Sequence, residues 1–197
     1  LTTRRQRQMC IRDRSEYIHH CIYSGENVWI AQREGRAKDG IDRTDPALLK
    51  MLSLAKRELK LSGSLNALHI VPVSISYEYD ACDVLKAREL YEIEKHGSFT
   101  KTDESDITSI VTGMIGFKGN VHVAFGEELN LGTDDPDEIA AIVDEQIIGN
   151  YQLNKTNYLA LEHLKKDGLL LPHRVRSLVE GGNISASARL KFEKRLE

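Results

Sequence analysis

Cysteine is scarce in this chain: Cys10, Cys21 and Cys82 are the only three in 197 residues. An odd number at unpatterned positions builds no disulfide framework and suits a reducing compartment. A basic excess is also missing. The formal charge is −3 and the pI about 6.2, which leaves no basic face for non-specific binding of nucleic acid. No run approaches the roughly 18 to 20 apolar residues of a membrane span, and no charged-then-apolar signal peptide opens the chain. Any membrane contact is therefore expected to be peripheral, at the cytoplasmic face. Nucleotide-binding GxGxxG and Walker loops, HExxH, the GxSxG elbow and CxxC pairs are absent, so nucleotide enzymes, zinc proteases and standard serine hydrolases lose ground.

What remains is globular. Hydrophobic residues at 41% and charged residues at 29% are near average, and 22.3 kDa is enough for one domain with a sizeable core. The opening differs from the rest. LTTRRQRQMCIRDR has no start methionine and carries five arginines against one aspartate. It reads either as a basic arm for phosphate or anionic lipid, or as a non-native segment, since RQMCIRDR resembles translated sequencing-adapter nucleotides. The second reading is preferred, and residues 1–14 are then expected to be non-native or disordered, with the protein cut just before Ser15.

From Ser15 onward helical and strand patterns alternate. SEYIHHCIYSGE spaces Tyr17, Ile18, Cys21 and Ile22 as a helix, and NVWIAQ (27–32) reads as a buried strand. Asp45 before Pro46 is the preferred start of a helix whose stripe is Leu48, Leu52, Ala55 and Leu59, ending near Gly63. ALHIVPVSISYE (67–78) has the continuous apolar character of a central parallel strand, against which Pro72 implies a strand end, a bulge or a bend. Helices are expected through about His96, with Leu85, Leu90 and Ile93 inward, and over 103–117, capped by Asp103 or Ser105. A strand with Val121, Val123 and Phe125 alternating follows, then helices near 136–149, 156–167, 172–181 and 185–196. The fold class expected is α/β: an open mixed sheet flanked by helices, with 15–130 as the α/β part and 131–197 as a helical extension of the same domain.

Chemistry concentrates in Glu34-Gly35-Arg36-Ala37-Lys38-Asp39-Gly40, just past a strand end, where ligands collect in open α/β sheets. Glycine lets the backbone approach an anion, Arg36 and Lys38 can hold phosphate oxygens, and Glu34 can accept from a hydroxyl. The same residues also fit an exposed turn with solvated charges. His19, His20 and Cys21 do not suit a metal, because adjacent helical residues diverge by about 100°. Cys82, between Asp80 and Asp83, reads as a half-buried thiol at a helix start. His69, His122, His163 and His173 are isolated.

VWIAQREGRAKDG followed by HIVPVSISYE resembles the glycerol-phosphate and lysophosphatidate acyltransferase family. There a strand leads into a Glu-Gly-Thr-Arg-Ser loop and a later strand carries a proline flanked by valine and isoleucine. The matching positions are Glu34 and Gly35, then Val71, Pro72 and Val73, while KGNVHVAFGEEL is similar to the family's last strand with its Phe-Gly turn. The family's arginine falls on Ala37, between Arg36 and Lys38. Its catalytic His-x4-Asp is absent, because His19 is followed at that spacing by Ser24 and His20 by Gly25. A chain truncated before Ser15 would lack that motif.

The resemblance implies a glycerolipid O-acyltransferase of phospholipid biosynthesis that needs no cofactor or metal. Its partners would be an acyl-CoA or acyl carrier protein donor, a glycerol-phosphate or lysophospholipid acceptor, and a membrane surface. Glu34, Gly35, Arg36, Lys38 and Pro72 would bind substrate, with no catalytic residue left in this chain. A non-catalytic α/β module binding a phosphorylated ligand or a partner is the rival reading; a thioesterase has no nucleophile on a strand-to-helix turn.

Overall fold

The computed structural model describes residues 4–33, 35, 43–100 and 102–166. Its elements are α1 (Arg4–Tyr23), α2 (Pro46–Leu52), a 3-10 turn (Ser53–Lys56), α3 (Leu61–Asn66), β1 (Val73–Tyr77), α4 (Asp83–His96), α5 (Asp103–Ile115), β2 (Val121–Phe125), α6 (Pro136–Gly149) and α7 (Lys155–Lys166). The mixture of helix and strand agrees with the expected class, but among the described residues β1 and β2 form a two-stranded antiparallel sheet, not a larger open mixed sheet with 67–78 as a central parallel strand. Gly126 N–H donates to Pro72 C=O and Glu78 N–H to Asn120 C=O, so equal spans lie between the two bonded pairs and Ile75 faces Val123. The chain divides into two compact units, Leu1–Ser74 with Ala124–Asn150 and Ile75–Val123 with Tyr151–Glu197.

The first unit holds the larger core. Asp45 caps α2 by accepting the N–H of Ala47, and Asp135 caps α6 by accepting those of Asp137 and Glu138, each with proline at the first helical position. Leu49, Leu52, Leu65, Leu68, Leu129, Leu131, Ile139, Ala140 and Val143 pack together with Ile18 of α1. Each fully buried leucine or isoleucine contributes about 1.5–3 kcal/mol. Composition shifts at Ser15, and so does packing. Residues 11–14 are exposed, whereas Ser15, Ile18 and His19 are buried at helical spacing. The helix itself starts earlier than expected, at Arg4.

One long helix from Pro46 to about Gly63 does not form. Ser15 Oγ donates to the C=O of Leu52 and accepts the N–H of Ala55, both at 2.9 Å. These two backbone groups thus find partners outside the α-helical ladder, and the chain tightens into the 3-10 turn before restarting at α3. Leu59 accordingly leaves the apolar stripe and is exposed.

In the second unit Gly97 ends α4 in the left-handed region at φ 75°. Thr102, not Asp103 or Ser105, caps α5; Ser105 is its reciprocal partner in a capping box. Cys82 is buried at the start of α4, more deeply than expected, and its thiol lies 3.5 Å from the C=O of Ser109. Thr156 at the start of α7 donates to Glu78 C=O, and Gln152 N–H donates to Ser76 Oγ at 2.9 Å.

Three strand or core expectations fail. Residues 27–32 are not a strand, and Val28, Trp29 and Ile30 are exposed, Trp29 at 69%. Apolar character supplies no ladder partner, and none lies beside this segment among the described residues. The strand expected with Val121, Val123 and Phe125 alternating does form, as β2, and that face is exposed, Phe125 at 71%. Leu90 and Ile93 of α4 are also exposed. The 67–78 strand shortens to Val73–Tyr77, since Pro72 stands just before it and 67–69 form a turn with His69 at φ 50°. α6 and α7 match two predicted helices; those near 172–181 and 185–196 lie outside the described residues.

Candidate functional site

Glu34, Arg36 and Lys38, three of the five expected substrate-binding residues, lie outside the described residues. Gly35 is exposed at φ 77°, and a Cβ there would meet open space. Its glycine is thus required by the left-handed backbone rather than by close packing. Pro72 is buried, and its carbonyl accepts the N–H of Gly126 at 2.8 Å. That bond joins the proline segment to the Phe125-Gly126 turn. Gly126 is tight against its surroundings: a Cβ would collide with Gln146 Oε1 and stand 3.1 Å from Pro72 O. The space is already filled by the Gln146 amide, whose Oε1 accepts Glu127 N–H at 2.8 Å.

The described residues on either side of Gly35 meet at a neck. Asp45 N–H donates to Gln32 C=O at 2.9 Å, drawing residues 33 and 43–44 together. Thr44, buried at this point, donates both its N–H (2.8 Å) and its hydroxyl (2.7 Å) to Oδ1 of Asp144 on α6, and Gln32 Oε1 lies 3.3 Å from the same hydroxyl. An open cavity of about 250 Å³ lies here, lined by Arg33, Arg43, Thr44 and Asp45. Both arginines are exposed, and neither pairs with a described carboxylate. Pro72 does not line this cavity, so the two described site residues are not brought together there.

Arg33, Arg43, Thr44 and Asp144 were not singled out by sequence reasoning. The arginines had a signal, as cations flanking a charged glycine loop; Asp144 had none, being one polar residue on an amphipathic helix.

No base is assembled among the described residues. His19 is buried, with Nε2 3.0 Å from Leu52 O and Nδ1 without a partner. His69 Nδ1 faces Glu128 at 2.7 Å, and His96 faces Glu92 at 3.5 Å. Among the described residues no histidine is hydrogen-bonded to an aspartate, and no cluster of three His, Cys, Asp or Glu could hold a metal. No helix among them is long and apolar enough to cross a membrane. No family model, curated protein or solved structure matches this chain.

Proposed function

We propose that the chain is the acceptor-binding part of a glycerolipid acyltransferase of phospholipid biosynthesis, with that family's open sheet. The enzyme moves a fatty acyl group from acyl-CoA or acyl carrier protein to the hydroxyl of a glycerol phosphate or lysophospholipid, at a membrane surface. The bond from Gly126 N–H to Pro72 carries the reading, because it joins two of the three segments in which the resemblance lies. The charged glycine loop, the third, supports it with a neck pinned by Gln32 and Asp144.

In this reading a histidine base outside the chain takes the proton of the acceptor hydroxyl. The oxygen attacks the thioester carbonyl, the carbon–sulfur bond breaks, and the thiolate leaves with a proton. Glu34, Gly35, Arg36 and Lys38 hold the acceptor and its phosphate, and the segment at Pro72 walls the cleft. Their contribution is orientation.

The rival module, binding a phosphorylated ligand without chemistry, is favoured by one observation: no His-x4-Asp occurs in the sequence. The test is to read the coding DNA upstream of the Ser15 codon and express the frame found there. An in-frame His-x4-Asp, with thiol release from acyl-CoA that depends on glycerol 3-phosphate, is the expected result. A frame without the pair, or a longer chain that releases no thiol, overturns the reading in favour of the module.

A further inference from the structure

We infer that Arg33 and Arg43 form a binding site for a phosphate monoester at the neck of the loop. The inference deepens the acceptor-binding reading and rests on it for the choice of probe, but its geometry is independent of acyl transfer. The two residues flank Gly35 in sequence, the Asp45 to Gln32 bond draws their backbones together, and both line one cavity. Their like charges repel, and no described carboxylate neutralises either. An anion between them removes that repulsion and gains charge-assisted, forked hydrogen bonds that a guanidinium is shaped to give.

The other two lining residues are already committed. Thr44 gives both its donors to Asp144, and Asp45 Oδ1 holds Ala47 N–H. Among the described lining residues the two arginines supply the positive charge in a cavity of about 250 Å³, which is open to solvent and large enough for a phosphate and part of its alcohol. The Asp45 carboxylate opposes an anion, so a single cation would gain little. Two cations are what make a phosphate favourable there.

Isothermal calorimetry on the full chain with glycerol 3-phosphate tests the site. Arg33→Gln and Arg43→Gln are each expected to weaken binding about tenfold, and the double variant more, since each removes charge-assisted bonds to the dianion. Glycerol should not bind, and affinity should fall as salt rises. Arg57→Gln, outside the cavity, should bind as wild type, and thermal melts should show every variant folded. A second arm uses phosphatidylcholine vesicles with and without lysophosphatidate. Binding to the free ester assigns a soluble phosphate, and binding to lysophosphatidate vesicles alone assigns a lipid headgroup; in either case the arginine variants must weaken it by the same margins.

A wild-type chain that binds neither probe, a double variant within twofold of wild type, or equal binding of glycerol would overturn the site. The two readings fail separately. Arginine-dependent binding with no acyl transfer by the longer chain leaves the site and removes the enzyme. Acyl transfer with binding unchanged in the double variant does the reverse.

Discussion

Asp144 and Thr44, one hundred residues apart, meet through a single carboxylate oxygen that accepts both the N–H and the hydroxyl of Thr44. Through this pair helix α6 holds the neck of a loop that belongs to the opposite end of the sequence. Asp144→Ala would leave the Thr44 N–H without its acceptor and the hydroxyl with only Gln32 Oε1 at 3.3 Å, and an unmet buried polar group costs about 1–3 kcal/mol. Urea denaturation is expected to show a loss in that range. Asp144→Asn keeps an oxygen that can accept both bonds and should lose less. Equal losses in the two variants would mean that charge, not acceptor geometry, holds the neck.

Ser15 makes a second long-range tether. Its hydroxyl is fully buried, bonded to Leu52 C=O and Ala55 N–H, and it sets the point where α2 gives way to the 3-10 turn. Ser15→Ala is expected to destabilise by about 1–3 kcal/mol, although alanine is the better helix former. A neutral or stabilising result in a thermal melt would show that the hydroxyl does not determine the break.

These two residues mark the limit of what could be read from the sequence. Local signals were legible: the Asp-Pro start of α2, the bounds of α6, the end of α4 near His96 and the proline at the edge of β1 depend on neighbours a few positions away. The break after Leu52 was not, because a serine thirty-seven positions upstream diverts the backbone bonds. Trp29 shows the opposite error. The apolar run 27–32 predicts a buried strand, but a strand needs a ladder partner, which hydrophobicity does not specify. At the candidate site, composition points to residues 34–40, of which only Gly35 is among the described residues. The pinning of Thr44 by Asp144 and the exposure of Arg33 and Arg43 at one cavity are tertiary facts with no local trace.

Gly97 and Gly119 separate backbone strain from crowding. Both have positive φ, at 75° and 62°. A Cβ at Gly97 meets nothing, whereas one at Gly119 would lie 2.6 Å from Glu78 Oε2 and 2.9 Å from Tyr79 Cδ2. Gly97→Ala should therefore lose only the left-handed penalty, about 1–2 kcal/mol. Gly119→Ala should lose more, because Glu78 Oε2 also accepts from the backbone and side chain of Asn120 and would have to move. Equal losses by denaturant titration would show that Glu78 yields freely.

Asp134 supplies the pH dependence. Its carboxyl is held below the ordinary value of 3.8, first by the Ser62 hydroxyl and then by the Ser62 N–H, against the opposing effect of desolvation, with Lys60 adding least. The bonds are 2.7 and 3.0 Å to Oδ1, with Lys60 Nζ 3.6 Å from Oδ2. A depressed folded value means that the unfolded chain takes up the proton first on acidification. The stabilisation is therefore fully present above the unfolded value, about 3.9, and is lost as pH falls through the lower folded one. Asp134→Asn should be less stable than wild type near neutrality, and the two urea midpoints should converge in acid. Salt distinguishes the causes, because screening weakens the exposed Lys60 pair far more than the short Ser62 bonds. If high salt erases the difference between wild type and Asp134→Asn, the lysine dominates; if most of it survives, Ser62 holds the carboxylate.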